Sequence, residues 1–232
     1  MYLLIAILTL MLILFMVWAS ADVGSNIYLK TICKAETEDK VIALTFDDGP
    51  EDAMTEKVLD VLKKYNIQAT FFLVGSKVEQ YPDIAKRIFE EGHIVANHTY
   101  LHSGFFPLST RKQVEQELTK CATSIQETIG KRPKLFRMPF GVTNPIIGKV
   151  VRSLGFKTIG WSIRSLDTVQ GKTREEIAQK VQKELHPGAI ILLHDRCDGA
   201  DVLLENIINI AQKNGYTFIA LDKMINLQAY EN

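Results

Sequence analysis

No sign of charge is in excess: 27 lysines and arginines stand against 27 aspartates and glutamates in 232 residues. Without a long-range field to recruit a polyanion, a nucleic-acid partner is excluded and a neutral or locally polar ligand is favoured. Cysteine is scarce and odd in number. Cys33, Cys121 and Cys197 lie too far apart for a C-x-x-C metal site and do not form a disulfide framework. They are expected as small buried side chains, with a pairing of Cys33 left open. The chain lacks internal repeats, low-complexity tracts and Pro/Ser-rich linkers. At 47% hydrophobic content it is long enough for one well-filled domain and too short for two. Its short loops offer no evident partner patch, so a monomer is expected.

One long apolar run is present. Residues 1–18 are apolar apart from Thr9, enough to span a bilayer or to serve as a secretory core. Ala19-Ser20-Ala21 reads as an A-x-A cleavage site, but no Lys or Arg precedes the run as a signal peptide requires. Residues 1–21 are therefore expected to be a signal peptide or an N-terminal membrane anchor, and 22–232 the folded domain. Lys30 and Lys34 follow the segment, so flanking charge gives no support to a domain-outside orientation.

Beyond a short strand-like stretch at 26–33, apolar β-rich runs alternate with amphipathic helical ones. Strands are expected at 41–46, 69–73, 93–96, 134–136, 157–160, 189–193 and 217–220. Helices are expected at 53–65, 82–91, 110–129, 145–154, 174–185 and 201–214, several opened by Ser, Thr or Asp and closed near Gly. The strands are continuous apolar runs, as in a parallel sheet buried on both faces. Five of the seven end in polar motif residues, which favours an α/β barrel with one shared rim over an open sheet with a single switch point.

Those motifs carry the chemistry. Thr45-Phe46-Asp47-Asp48-Gly49-Pro50 delivers adjacent carboxylates into a turn. Alone it reads as a solvated turn; beside a metal, one carboxylate ligates while its neighbour takes a proton. His98 and His102, four apart, read as one face of a helical turn suited to a divalent metal, although a bare H-x-x-x-H is weak. Thr99 stands where a zinc peptidase needs Glu, so that class is disfavoured. Asn97-His98-Thr99 is also a glycosylation sequon, read as accidental because a glycan would cover His98. Arg137-Met138-Pro139-Phe140-Gly141 follows a short strand. Its arginine is either a surface residue or a bidentate clamp for a carboxylate, and its turn could aim the Phe140 N–H into the rim. Asp167, in the loop after Trp161, is either an ordinary loop residue or part of the same site. His194 closes a buried strand, placed for acid–base work or else satisfied by local backbone. His93 and His186 complete no motif and are assigned to local backbone.

In this order and spelling, the T-F-D-D-G-P, H-x-x-x-H, R-x-P-x-G and L-H-D signatures make the chain resemble polysaccharide deacetylases of the NodB-homology type, carbohydrate esterase family 4, over residues 41–222. The resemblance implies a distorted (β/α) barrel of about seven parallel strands that removes N- or O-linked acetyl groups from a glycan with one divalent metal ion. Zinc is the default; cobalt, nickel and manganese are also compatible. By motif it implies Asp47 as catalytic base and Asp48, His98 and His102 as metal ligands. Arg137 orients Asp47, His194 is the general acid, Asp167 supports His194, and the Phe140 N–H serves the oxyanion. Thr168 departs from the pattern, since a tryptophan that walls the groove often follows the supporting aspartate. Trp161, Phe105 and Phe106 are expected to replace some of that aromatic surface.

The leading expectation is N-deacetylation of an N-acetylglucosamine-containing glycan outside the cytoplasm. Peptidoglycan ranks ahead of chitin-like oligomers because of the export segment. An O-acetyl esterase acting on acetylated xylan would use the same site. A non-catalytic, membrane-tethered glycan-binding protein is disfavoured because both Asp47 and His194 are present.

Overall fold

The computed structural model describes residues 1–231. Its strands are β1 (Thr31–Ile32), β2 (Val41–Asp47), β3 (Thr70–Leu73), β4 (Ile94–Asn97), β5 (Leu135–Phe136), β6 (Lys157–Ile159), β7 (Ile163–Arg164), β8 (Ala189–His194) and β9 (Thr217–Phe218). The helices are α1 (Tyr2–Ala21), α2 (Met54–Tyr65), α3 (Gly75–Gln80), α4 (Pro82–Glu90), α5 (Arg111–Ile129), α6 (Pro145–Ser153), α7 (Arg174–Glu184), α8 (Ala200–Lys213) and α9 (Leu221–Met224).

Local sequence sets the main helix ends. Thr110 and Thr173 open α5 and α7 with capping boxes to Gln113 and Glu176. Asn144 caps α6, with Pro145 in its first turn where no N–H is needed. Gly130, in the left-handed region, closes α5.

The sheet runs β1-β6-β5-β4-β3-β2-β8-β7, every ladder parallel, with β9 beside the start of β2. It curls into the distorted barrel expected, with short strands beyond the seven foreseen. Closure is covalent at one seam: residues 160–162 carry the chain from β6 to β7, the Gly160 N–H bonding Ile32 and the Ser162 N–H bonding Ile190. Alternate side chains serve two cores. Ile42, Leu44, Phe46, Ile191 and Leu193 pack outward against the helices. Ala43, Phe72, Ala96, Ile159 and Ile190 fill the interior. Phe46 stacks on Phe71 at 4.9 Å between centroids, and truncating such a buried ring costs about 3–5 kcal/mol.

Parallel strands bring their C-terminal ends to one rim. The register aligns Asp47 with His194 and Asn97 with Phe136, the residues at or just before four of the motifs.

Helix α1 is long and apolar enough to cross a membrane by length and composition; its 20 residues span about 30 Å at the helical rise. Its last turn joins the domain: Ala19 is buried, and the Ser20 carbonyl accepts the Thr143 N–H at 3.0 Å. All three cysteines are free thiols, so the pairing left open for Cys33 is not made. Asn97 is fully buried, with Nδ2 donating to the Leu118 carbonyl, so the sequon there is closed to a glycan in the folded chain.

Candidate active site

At the rim, a cavity of about 570 Å³ is lined by Asp47, Asp48, His98, His102, Phe140 and His194 among others. Arg137 and Asp167 lie behind this wall, touching Asp47 and His194 respectively. The loops that build it hold non-glycine residues in the left-handed region: Asp48, Thr99, His102, Phe140 and Leu166. Each such residue costs about 1–3 kcal/mol and persists because its surroundings over-determine it.

Arg137 is fully buried at the barrel seam. Nη1 donates to Asp47 Oδ1 at 2.7 Å and to Thr45 Oγ1 at 2.8 Å. Nε and Nη2 donate to the carbonyls of Ile159 and Gly160, and the guanidinium lies 4.1 Å from the centre of the Phe72 ring. The expected bidentate clamp is therefore a single-point contact, because the seam's unpaired carbonyls take the other donors. Burial pulls the Arg137 pKa down, opposed by Asp47.

Asp48, His98 and His102 offer three donor atoms within 4.8 Å of one another. The His98 Nδ1–H faces the Arg137 carbonyl at 2.8 Å, which leaves Nε2 as the lone-pair nitrogen, 3.4 Å from Asp48 Oδ1. His102 Nε2 lies 3.3 Å from the same oxygen. Asp48 Oδ1 is buried with no hydrogen-bond partner, so two imidazole nitrogens converge on an orphaned carboxylate oxygen. That donor set fits a divalent ion. Burial alone would raise the Asp48 carboxyl, but His98, His102 and His194 outweigh it and hold it far below the usual carboxylate range. Burial and the neighbouring His98 push His102 down to about 4, so its ring is neutral near pH 7. The two histidines do not share a helical turn as their spacing suggested. His98 follows β4 directly, and the chain then turns through the left-handed Thr99 and His102.

Across the cavity, His194 ends β8 and is held by Asp167. Burial would lower the imidazole pKa, but the hydrogen bond and charge of Asp167 outweigh it and raise it. Phe140 sits at φ 59°, its ring centroid 4.9 Å from that of His102. Among the described residues its N–H bonds no protein acceptor, whereas Gly141 and Val142 bond back to Met138 and Pro139.

Sequence reasoning missed two groups. Arg196 donates from Nε to Asp48 Oδ2 at 2.8 Å, fixing which oxygen faces the histidines. Asp195 is fully buried, accepts from Thr55 Oγ1 at 2.7 Å and packs beneath Gly49 so closely that residue 49 has no room for a Cβ. The L-H-D motif contained Asp195 without giving it a role. Of the aromatic replacements, Trp161 does line the cavity beside Thr168. Phe106 is instead a core residue and Phe105 is exposed beside a separate small cavity. His93 and His186 lie outside the site: His93 Nδ1 accepts the Ala69 N–H while its Nε2 is buried without a partner among the described residues, and His186 Nδ1 lies 2.8 Å from the Pro187 carbonyl.

A parallel barrel with paired carboxylates, a His-His-Asp donor set and a carboxylate-backed histidine on one rim defines a hydrolase of the glycan-deacetylase class. Residues 34–159 match the polysaccharide deacetylase family. The chain belongs to that family, the NodB-homology deacetylases of carbohydrate esterase family 4. It is 36% identical over 192 residues to the peptidoglycan-N-acetylmuramic acid deacetylase PdaA of Bacillus subtilis, covering 82% of this chain and 73% of that one. It is 35% identical over 202 residues to the peptidoglycan-N-acetylglucosamine deacetylase PgdA of Listeria monocytogenes, covering 86% of this chain and 42% of that one. Among solved structures, the Bc1960 peptidoglycan N-acetylglucosamine deacetylase superposes with a TM-score of 0.82 at 30% identity, covering 87% of this chain and 95% of that one.

Proposed function

We propose that the chain removes N-acetyl groups from acetamido sugars of the cell envelope, N-acetylglucosamine residues of peptidoglycan ahead of chitin-like oligomers. The observation that carries this reading is the placement of Asp47, locked by Arg137, and His194, locked by Asp167, on the wall of one cavity with the Asp48-His98-His102 donors. The names of the relatives support peptidoglycan as the polymer and divide over the sugar, naming N-acetylmuramic acid in one case and N-acetylglucosamine in the other.

In this reading Asp48, His98 and His102 hold one divalent ion, zinc by default, with cobalt, nickel or manganese compatible. Bound there, the ion acidifies water and polarises the acetyl carbonyl. Asp47 takes the proton of the attacking water, its carboxylate fixed by Arg137 so that Oδ2 is left for that task. The Phe140 N–H donates to the developing oxyanion. His194, protonated at Nε2 because Asp167 engages Nδ1–H, gives its proton to the departing amine nitrogen. That donation matters for an amide, whose amine leaves poorly without it. Residues 1–21 serve as signal or membrane anchor, and 22–232 work as a monomeric extracytoplasmic domain.

The test is acetate release by the full chain in detergent from peptidoglycan, N-acetylglucosamine oligomers and acetylated xylan, with chelator and with metal restored. Chelator-sensitive release from the first two is expected. Release from xylan alone would replace the amidohydrolase reading with an esterase.

A further inference from the structure

The chain carries no net charge, yet Lys77, Arg164 and Arg196 all line the wall of the active-site cavity. Lys77 is neutralised by Glu51, 2.6 Å from its Nζ. Arg164 has no such partner among the described residues, and Arg196 spends only one of its donors on a carboxylate. Arg164 lies on β7 in register with Leu192, two residues before His194, so its side chain rises on the cavity side of the sheet. It is exposed and has no carboxylate partner among the described residues. Arg196 engages Asp48 through Nε alone, and 42% of its side chain is exposed. Its Nη1 and Nη2 donors have no protein partner among the described residues.

The acids on this wall are already engaged by arginines, Asp47 by Arg137 and Asp48 by Arg196. A divalent ion held by Asp48 would add further positive charge beside Arg196. Thr168, short and polar, shares the wall with both arginines, where the aromatic common in the family would set an apolar surface. Two planar guanidinium groups with free donors are the recognition set for a carboxylate.

We propose that this cavity selects acetylated sugars bearing a free carboxylate, which Arg164 and Arg196 hold while the acetamide lies at Asp47 and His194. The inference rests on the glycan-deacetylase reading and moves the preferred sugar from N-acetylglucosamine to its carboxylate-bearing ether. The lactyl group of N-acetylmuramic acid, freed of peptide, places such a carboxylate on the same ring as the acetamide. A chitin-like chain has none and leaves both arginines unengaged.

The test compares oligomers of alternating N-acetylglucosamine and N-acetylmuramic acid with the same oligomers after reduction of the lactyl carboxylates to alcohols. Calorimetry with the full Asp47→Asn chain reads binding without turnover, and acetate release by the wild-type chain is measured separately. The free carboxylate is expected to lower Kd by at least roughly tenfold, the effect of a charge-assisted hydrogen bond or two. That advantage should shrink with added salt and fall toward onefold when Arg164→Met is added. Equal Kd values for the two oligomers, or a preference unmoved by Arg164→Met, would overturn the proposal even if both release acetate. A retained preference without acetate release from either would sink the deacetylase reading and leave carboxylate recognition standing.

Discussion

Asp167 binds His194 twice: Oδ2 accepts the His194 backbone N–H at 2.7 Å, and Oδ1 accepts its Nδ1–H at 2.8 Å. One carboxylate thereby fixes both where the strand ends and how the ring is turned, and it fixes the tautomer as well.

The pH profile follows from this contact. Because Asp167 raises the His194 pKa above its ordinary 6.5, the Nε2 proton that the proposed mechanism uses is present below that raised value and lost as pH climbs through it. The alkaline limb of acetate release is therefore expected above pH 6.5. In Asp167→Asn the limb should move to lower pH, as rate measurements across the range would record. An unmoved limb would remove His194 from the role of acid.

Metal content separates the adjacent aspartates. Asp48→Ala, His98→Ala and His102→Ala should each lose the bound ion, whereas Asp47→Asn should keep it and lose turnover. Elemental analysis of the four purified chains decides, and a fully loaded His98→Ala protein would sink the ligand assignment.

Arg137→Ala should destabilise the fold as well as silence it. It leaves Asp47 buried without its partner and frees the Ile159 and Gly160 carbonyls, for which breaking a buried pair costs about 3–5 kcal/mol. Denaturant unfolding measures this. A wild-type midpoint would mean that the seam does not depend on the guanidinium.

Asp195 gives a stability signature of opposite sense. Burial pushes its carboxyl up to about 7, above the usual carboxylate value, so the folded chain prefers it protonated. The contribution of Asp195 to stability is then greatest at low pH and is lost as pH rises through about 7. In chelator, Asp195→Asn should be more stable than wild type at pH 8 by up to about 4 kcal/mol, the gap closing towards pH 4. Parallel stability curves would show that Thr55 already satisfies the ionised form.

The elements legible in the sequence are those encoded locally. The boxes at Thr110 and Thr173, the Asn144-Pro145 start and the apolar runs of β2 and β8 each specify their own backbone. What was not legible is set from a distance. Helix α3 begins where Gly75 and Ser76 donate to the carbonyls of Thr99 and Tyr100. Strand β7 is two residues long and exists because Ser162 reaches Ile190. The same limit applied at the site: residue identities could be read from motifs, but the turn at His98–His102 required the left-handed backbone at Thr99, which spacing does not reveal. Arg196 escaped notice because its partner lies 148 positions away.

The guanidinium of Arg137 is also the mortar of the barrel, set where two strands fail to pair and the chain itself must bridge them. Decay of this enzyme into an inert scaffold is therefore channelled. Loss of His194 leaves the vessel closed around its cavity, loss of Asp47 strands a buried guanidinium that still ties the Ile159 and Gly160 carbonyls, and loss of Arg137 opens the seam itself.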